Sequence, residues 1–117
     1  MNILLVINDT PYGTEKAYNA LRLAMTMQKE HPTVQVNIFL MADAVGCAVA
    51  NQNTPQGYYN IERMLKSILG KGGKVKACGS CVDARGIRNA KLVEGAEIGN
   101  MSELTQWTVE ADKAFTF

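Results

Sequence analysis

The sequence predicts an α/β fold: a single domain over residues 1–117, with three layers (helix, sheet, helix) around a five-stranded, mainly parallel sheet of Rossmann-like or flavodoxin-like winding. Three observations support this prediction. The length of 117 residues suits one domain. Strand-like and helix-like runs alternate along the chain, which is typical of parallel sheets with right-handed crossovers. The first run, Asn2–Ile7, is mostly apolar, as in a strand covered on both faces.

The first third of the chain is predicted to form a strand, a helix and a second strand. After Asn2–Ile7, the segment Asn8–Gly13 contains the Asn, Asp, Pro and Gly residues of a loop. Thr14 is the predicted N-cap of a helix whose apolar residues recur at helical spacing. His31 is predicted to end that helix, because the residue before a proline disfavours α geometry. Thr33–Met41 is the second predicted strand.

The middle of the chain is predicted to hold two helices separated by a loop. Asp43 is the expected N-cap of a short apolar helix, Ala44–Ala50. Asn51–Gly57 has the composition of a loop. Tyr58–Leu69 returns to helical spacing with its apolar residues on one face, and the glycines that start at Gly70 are expected to end it.

The last third of the chain is predicted to add three short strands and one more helix. Lys74–Ala77 is the third strand, Val82–Ile87 a brief helical turn, and Ala96–Gly99 the fourth strand. Ser102 is the expected cap of the last helix. The residues expected on the buried face of that helix are Leu104, Trp107, Thr108 and Ala111. Ala114–Phe117 is the fifth strand, rich in residues that favour β structure.

The charge of the chain is nearly balanced. Lys and Arg number 12 against 11 Asp and Glu, a formal net charge of +1. This balance favours neither nucleic acid nor an anionic membrane as a direct partner. The apolar run near the start, Ile3–Ile7, is far shorter than the roughly 20 residues of a membrane span or the apolar region of a signal peptide. We therefore expect a cytoplasmic protein.

The pair Cys78-Gly79-Ser80-Cys81 is the sharpest chemical feature of the sequence. It lies where a predicted strand passes into a turn that can open a helix, and helix N-terminal amides stabilise a thiolate. Four cations are near in sequence and favour a thiolate if they reach the sulfur: Lys74, Lys76, Arg85 and Arg88. Ligands of such sheets bind beyond the carboxyl ends of the strands, where we expect Asn8–Gly13, Met41–Asp43 and Cys78–Cys81 to lie.

Other interpretations of the cysteines are open. The pair can be buried and inert, as free cysteines often are. A zinc site needs about four ligands, and the remaining candidates, Cys47 and His31, lie on other predicted elements. A thioredoxin-type dithiol faces a proline from later in the chain, whereas all three prolines here precede the motif. Cys47 itself is expected to be a core residue, and His31 to cap carbonyls or face solvent.

A family resemblance is carried by motifs spread over nearly the whole chain. They are Ala17, Leu21–Ala24, Phe39–Val45, Gly57–Ile61, Val75–Gly86, Glu97–Gly99, Leu104, Trp107–Thr108, Ala111–Lys113 and Thr116–Phe117. In these motifs the sequence resembles the DsrE/DsrF-like family of small sulfur-handling proteins, and within it the YchN-like branch. The resemblance implies a parallel-sheet α/β domain, in agreement with the pattern of the residues.

The resemblance also implies a function. Family members pass sulfane sulfur in a relay, as a persulfide on a cysteine that matches Cys78, and Cys81 matches a second cysteine of the YchN-like branch. They assemble as trimers or hexamers, and sulfur donor and acceptor proteins are the expected partners. The chain would be a carrier rather than a multiple-turnover enzyme, without cofactor or metal. Two alternatives are a thiol–disulfide redox protein or sensor that uses Cys78 and Cys81, and a non-catalytic oligomeric binding module.

The hypothesis assigns roles to ten residues. Cys78 carries the sulfur and Cys81 resolves or tunes it, while the loops Asn8–Gly13 and Asn51–Gly57 frame the pocket. The residues expected to form that pocket are Asn8, Pro11, Tyr12, Gly13, Met41, Asp43, Tyr58 and Arg85.

Overall fold

Strands and helices alternate along the chain in the computed structural model, which describes residues 1–117. The elements are β1 (Asn2–Ile7), α1 (Lys16–Glu30), β2 (Gln35–Leu40), a 3₁₀ helix (Ala42–Ala48), α2 (Ile61–Gly70), β3 (Lys74–Cys78), α3 (Gly79–Ala84), β4 (Glu97–Gly99), α4 (Met101–Glu110) and β5 (Lys113–Thr116).

The five strands form one sheet in the order β4-β3-β2-β1-β5, and every neighbouring pair is parallel. This confirms the predicted α/β class and sharpens it, because the sheet is parallel throughout. The central strands β1 and β2 are buried along most of their length, as their apolar sequences indicate. The register pairs Ile7 with Leu40 and Cys78 with Gly99, so the carboxyl ends of β1 to β4 meet along one edge.

Helices cover the two faces of the sheet. The chain moves stepwise from β1 to β4 and then returns to place β5 on the far side of β1. Right-handed crossovers therefore put α1 and α2 on one face and α4 on the other. The Gln28 side chain of α1 donates a hydrogen bond to the Ile68 carbonyl of α2 at 3.0 Å. On the opposite face, Trp107 of α4 meets the Phe39 ring edge-on, with centroids 6.0 Å apart.

The predicted start of α2 and the predicted N-cap of α4, Ser102, were wrong, because in each case a nearby asparagine is the N-cap. The Asn60 side chain accepts the Arg63 N–H at 3.0 Å, so α2 begins at Ile61 rather than at Tyr58. At α4, the Asn100 side chain accepts the Glu103 N–H at 2.9 Å. An asparagine oxygen beside the first turn satisfies an amide that otherwise has no partner within the helix.

The predicted N-caps of α1 and of the 3₁₀ helix were also wrong. Helix α1 begins at Lys16, and its N-cap residue is Glu15, which makes no side-chain cap hydrogen bond. The Thr14 hydroxyl donates to the Asp9 carboxylate at 2.9 Å and accepts the Lys16 N–H in a long hydrogen bond of 3.4 Å. Asp43 lies inside the first turn of the 3₁₀ helix, and its carboxylate accepts a hydrogen bond from Arg85.

Several boundaries differ from their predictions by one to three residues. Strand β2 is shorter than predicted at both ends, β3 extends to Cys78, β4 begins at Glu97, and β5 lies one residue earlier than predicted. Helix α3 starts at Gly79, three residues before the predicted turn. On α4, Trp107 is buried and Leu104 partly buried, but Thr108 is exposed and Ala111 lies beyond the helix.

Candidate functional site

A cleft of about 480 Å³ opens beside the two motif cysteines at the carboxyl edge of the sheet. One wall is Met41, at the end of β2, and a second runs from Cys78 to Asp83. The third wall, Ile98–Met101, brings in the end of β4 and the first residue of α4, and Arg88 closes the remaining side. The cleft therefore exists because β4 lies beside β3, which brings the start of α4 close to the cysteines.

Two glycines permit this close approach. A Cβ atom on Gly99 would lie 3.1 Å from the Phe39 ring and 3.2 Å from the Lys76 Cβ. A Cβ on Gly79 would lie 3.2 Å from both the Arg88 guanidinium and the Ile98 side chain. Side chains at these positions would push β4 or Arg88 away from the end of β3 and would alter the cleft.

The cysteine sulfurs each accept one backbone N–H. Cys78 ends β3 and is the N-cap residue of α3, and its Sγ accepts the Cys81 N–H at 3.4 Å. The Cys81 Sγ accepts the Ala42 N–H at 3.2 Å. Ala42 has a left-handed backbone with φ of 51°, which costs of order 1 kcal/mol in a residue other than glycine. That conformation directs a backbone donor at the Cys81 sulfur.

The three cysteines differ in their surroundings. Burial raises the pKa of the Cys47 thiol to about 12, so this cysteine is an inert part of the core, as predicted. Burial also raises the pKa of Cys81, and its hydrogen bond with the Cys78 side chain adds to the rise, although the Ala42 amide and Arg85 oppose it. Both groups are therefore protonated thiols near neutral pH. Cys78 is 7% exposed and lies in the wall of the cleft.

The arginines beside the motif are held by aspartates. Arg85 donates from Nε to the Asp43 carboxylate at 2.8 Å and from Nη1 to the Cys81 carbonyl at 3.1 Å. Arg88 forms two hydrogen bonds with Asp83, at 2.7 and 2.8 Å. These pairs brace α3 against the 3₁₀ helix and the segment after α3, and they neutralise much of the guanidinium charge.

The two lysines of β3 do not line the cleft. Lys76 forms an ion pair with Glu103 and lies over the Trp107 ring, 5.0 Å from its centroid. Lys74 is exposed at the start of the strand. Neither lysine is therefore placed to stabilise a thiolate in the cleft.

The predicted site residues divide between the cleft and a second region of the molecule. Cys78, Cys81 and Met41 share the cleft, and Asp43 with Arg85 lies beside it. The remaining five do not line it: Asn8, Pro11, Tyr12, Gly13 and Tyr58. They follow β1 or precede α2, and β2 separates β1 from β3 in the sheet. The backbone N–H of Asn8 donates to Phe117 beyond β5 at 2.8 Å, and Tyr12 packs with Tyr58.

Several lining residues were not among the predicted site residues. Arg88 reaches the cleft through its hydrogen bonds with Asp83 and the Gly79 carbonyl. Gly99, Asn100 and Met101 reach it only through the order of the strands, which no local motif encodes. The signal that could have found them is the Gly99-Asn100 pair, a glycine at a strand end followed by a good helix cap.

No group of three or more His, Cys, Asp or Glu side chains is arranged to hold a metal ion. None of the helices combines the length and the apolar character needed to traverse a membrane.

Comparisons with known proteins agree over the full length. The sequence profile of the DsrE/DsrF-like family matches residues 1–117. Protein YchN of Escherichia coli (strain K12) is 42% identical over 115 residues, covering 98% of this chain and 97% of that protein. Protein MJ0989 of Methanocaldococcus jannaschii is 39% identical over 117 residues, covering 100% of both. The crystal structure of the E. coli YchN protein superposes with a TM-score of 0.95 at 41% identity, covering 99% of this chain and 98% of that one.

Proposed function

The chain belongs to the DsrE/DsrF-like family, and from this premise we propose that it is a sulfur carrier that accepts and passes on sulfane sulfur as a persulfide on Cys78. The family is associated with sulfur relay, and its members form oligomeric assemblies. The observation that carries the proposal is the position of Cys78, at the end of β3 in the wall of an open cleft.

Transfer of sulfane sulfur requires one nucleophilic cysteine sulfur that a donor and an acceptor can reach. The Cys78 thiolate attacks the outer sulfur of a donor persulfide, a new S–S bond forms on Cys78, and the donor leaves as a thiolate. An acceptor thiolate then attacks the outer sulfur on Cys78 and restores the Cys78 thiolate. Neither step changes the total oxidation state, so no external oxidant or reductant is required.

The backbone around Cys78 supports an anionic sulfur. The Cys81 N–H already points at the Cys78 Sγ, and α3 begins at the next residue. Amides at a helix start favour negative charge by about 0.3–1 kcal/mol at exposed sites. The cleft beside the sulfur leaves space for the additional atom of a persulfide and for the end of a donor or acceptor.

Cys81 suits a tuning role better than a resolving one. To resolve the persulfide, the Cys81 thiolate would attack the Cys78 sulfur, form a disulfide and release sulfide. The raised pKa of Cys81, caused first by burial and then by its hydrogen bond with Cys78, keeps it a thiol near neutral pH and slows that attack. The carrier would then retain its sulfur until an acceptor arrives.

A second candidate function is a thiol–disulfide redox protein. It is favoured by one observation: Cys78 and Cys81 stand three residues apart at the start of α3, and the Cys78 Sγ accepts the Cys81 N–H at 3.4 Å, which holds that sulfur beside Cys81. In that case Cys81 should be as necessary as Cys78. A carrier tolerates Cys81→Ser, whereas a dithiol redox protein loses its activity with either substitution.

We also propose a homo-oligomer, a trimer or hexamer, in the cytoplasm, with sulfur donor and acceptor proteins as transient partners. The side chains of Val109 and Met101 on α4 support assembly, because they are 77% and 60% exposed although apolar. Native mass spectrometry should show three or six chains. A monomer at micromolar concentration would contradict this part of the proposal.

The experiment compares four proteins: the parent chain and the variants Cys78→Ser, Cys81→Ser and Cys47→Ser. Each is incubated with a low-molecular-weight persulfide such as glutathione persulfide, desalted, and measured by intact mass spectrometry. We expect one added sulfur in the parent, in Cys81→Ser and in Cys47→Ser, and none in Cys78→Ser. Equal sulfur loading of Cys78→Ser and the parent would refute the carrier function.

A further inference from the structure

All four tyrosines of the chain lie in one cluster, away from the cysteine cleft. Tyr59 is central: its ring stacks on Tyr18 with centroids 4.2 Å apart and on Tyr58 at 4.6 Å. The Tyr12 ring packs beside Tyr59 and Tyr58, with its centroid 5.6 Å from that of Tyr59 and 6.2 Å from that of Tyr58. Tyr58 is half exposed although it is a large aromatic residue. We call this group the tyrosine cluster.

A cleft of about 410 Å³ borders the tyrosine cluster between α1 and α2. Three tyrosines contribute to its lining: Tyr18, Tyr58 and Tyr59. Arg22 and Arg63 supply two positive charges, and no carboxylate lines the cleft. The other lining residues are Met25, Thr26, Asn60 and Met64.

Both arginines are free of ion pairs, unlike Arg85 and Arg88 beside the cysteines. The Arg22 guanidinium lies 5.4 Å from the centroid of the Tyr18 ring and donates a hydrogen bond to the neutral Asn19 side chain at 3.1 Å. Arg63 forms no side-chain hydrogen bond within the chain and is exposed. Two guanidinium groups with unused donors therefore face a cleft lined by aromatic rings.

The tyrosine cluster is held in place before any ligand arrives. The Tyr12 hydroxyl donates to the Gln52 side chain at 2.6 Å and accepts the Ile61 N–H at 3.1 Å. The Tyr59 hydroxyl donates to the Thr14 carbonyl at 3.4 Å. Rings that are fixed in this way lose little conformational entropy when another ring stacks on them.

We propose that this cleft binds a small planar aromatic molecule that carries an anionic group. Stacked tyrosines supply a platform for a flat ring, and guanidinium groups bind phosphate or carboxylate in a planar, bidentate manner. The site is sized for a small molecule: two arginines in a chain of net charge +1 do not form the continuous basic track of a polynucleotide site. This function is additional to sulfur transfer and uses none of its residues.

The binding test uses isothermal titration calorimetry with two probes, adenosine monophosphate and indole-3-carboxylate, which separate a phosphate-bearing ligand from a carboxylate-bearing one. Adenosine and inorganic phosphate serve as the uncharged and non-aromatic controls. We expect at least one probe to bind about tenfold more tightly than either control, because loss of stacking or of the ion pair costs at least that factor.

Variants assign the binding to the cleft. Arg22→Gln and Arg63→Gln should each weaken binding of the probe about tenfold, or about 1.4 kcal/mol, because each removes a charge-assisted hydrogen bond to the anionic group. Lys71→Gln is the matched control: it removes the same charge from an exposed residue at the opposite end of α2. Persulfide loading of Cys78 should be unchanged in all three, which separates this proposal from the carrier function.

Three results would overturn the proposal. The first is that neither probe binds better than adenosine and phosphate. The second is that Arg22→Gln and Arg63→Gln affect binding no more than Lys71→Gln does. The third is that these two variants dissociate an oligomer that Lys71→Gln leaves intact, as measured by sedimentation velocity; in that case the cleft is an interface between copies of the chain.

Discussion

The start of α2 and the cysteine cleft lie at the same edge of the sheet, but their backbone N–H groups have acceptors of different strength. At the start of α2, side chains accept three backbone N–H groups of the first turn, and a carbonyl accepts a fourth. The pairs are Ile61 N–H with the Tyr12 hydroxyl, Glu62 N–H with the Gln52 side chain, Arg63 N–H with the Asn60 side chain, and Met64 N–H with the Asn60 carbonyl. Each of the first four N–H groups of α2 therefore has an acceptor.

At the cysteine cleft, by contrast, the sulfurs of Cys78 and Cys81 are the side-chain acceptors of backbone N–H groups. Cys81 N–H and Ala42 N–H donate to thiols, which are weak acceptors, and a cleft of about 480 Å³ lies beside them. Buried hydrogen bonds therefore rigidify the region around α2, whereas the sulfurs in the region around α3 accept only weak hydrogen bonds and lie beside an open cleft. Substitutions around α2 should therefore affect mainly the free energy of unfolding, and substitutions around α3 mainly the reactivity of the thiols.

The largest effect on stability should come from Gln52→Ala. The Gln52 side chain donates to the Cys47 carbonyl at 2.9 Å and to the Val49 carbonyl at 3.0 Å, and accepts from Tyr12 and Glu62. Its removal leaves several part-buried polar groups without partners, at about 1–3 kcal/mol each. We expect a loss of about 3 kcal/mol in the free energy of unfolding, measured by urea denaturation.

Gln56→Ala is the control for that experiment, because Gln56 is exposed in the same loop and forms no side-chain hydrogen bond. It should change stability by less than about 0.5 kcal/mol. Comparable losses in the two variants would mean that the network around Gln52 does not hold the loop.

A smaller effect should come from Glu62, which accepts the Gln52 N–H at 2.8 Å and pairs with Lys66 at 3.3 Å. Burial alone would raise the pKa of Glu62, but the N–H groups of Gln52 and Asn51 and the Lys66 ammonium lower it overall. A carboxyl whose folded pKa is lowered stabilises the fold above its unfolded value of about 4.3, and this contribution is lost as the pH falls through the folded pKa.

Glu62→Gln should therefore be less stable than the parent by about 1 kcal/mol at pH 7, and the difference should shrink as the pH falls below about 4. Urea denaturation at a series of pH values measures it, with Glu30→Gln as an exposed carboxylate control. A difference that stays constant from pH 7 down to pH 3 would rule out the charge as its source.

The smallest effect on stability, but a visible one on reactivity, should come from Asp43→Asn. The Asp43–Arg85 pair is exposed, and such pairs contribute about 0–1 kcal/mol. Without the Asp43 carboxylate, the positive charge of Arg85 acts more strongly on the Cys81 thiol, whose pKa it already lowers in part. We expect faster alkylation of Cys81 by iodoacetamide at neutral pH, by a factor of a few, because a lower pKa of the Cys81 thiol leaves a larger fraction of it as the reactive thiolate.

Asp83→Asn provides the comparison, because it frees the neighbouring Arg88, whose bond is to the Gly79 carbonyl and not to Cys81. Peptide-level mass spectrometry of alkylated samples follows each cysteine separately. Equal acceleration of Cys81 in both variants would show that Arg85 has no specific influence on it.

Local sequence patterns predicted the strands but not the starts of the helices. Runs such as Asn2–Ile7 are decided by hydrophobic burial, which composition records directly. A helix start is decided by which side chain reaches an unpaired amide, and several polar residues compete for that role. Thr14 donates to Asp9 and accepts only a long hydrogen bond from the Lys16 N–H. Asn60 is the N-cap of α2, and Asn100 rather than Ser102 is the N-cap of α4.

The candidate site was predictable to the same partial extent. Cys78, Cys81 and Met41 follow from the rule that ligands bind at the carboxyl ends of parallel strands. Asn100 and Met101 depend on β4 lying beside β3, which is a long-range property of the sheet. The loop after β1 was expected at the same pocket, but β2 lies between β1 and β3, and Tyr12 is engaged at α2 instead.

The most direct measurement locates the sulfur atom in the unsubstituted chain. The protein is incubated with glutathione persulfide, its thiols and persulfides are trapped by alkylation, and the digested peptides are analysed by mass spectrometry. We expect the added sulfur on Cys78, with Cys81 and the buried Cys47 recovered as ordinary alkylated or unreacted thiols. Sulfur found mainly on Cys81 or Cys47, or on none of the three, would contradict it.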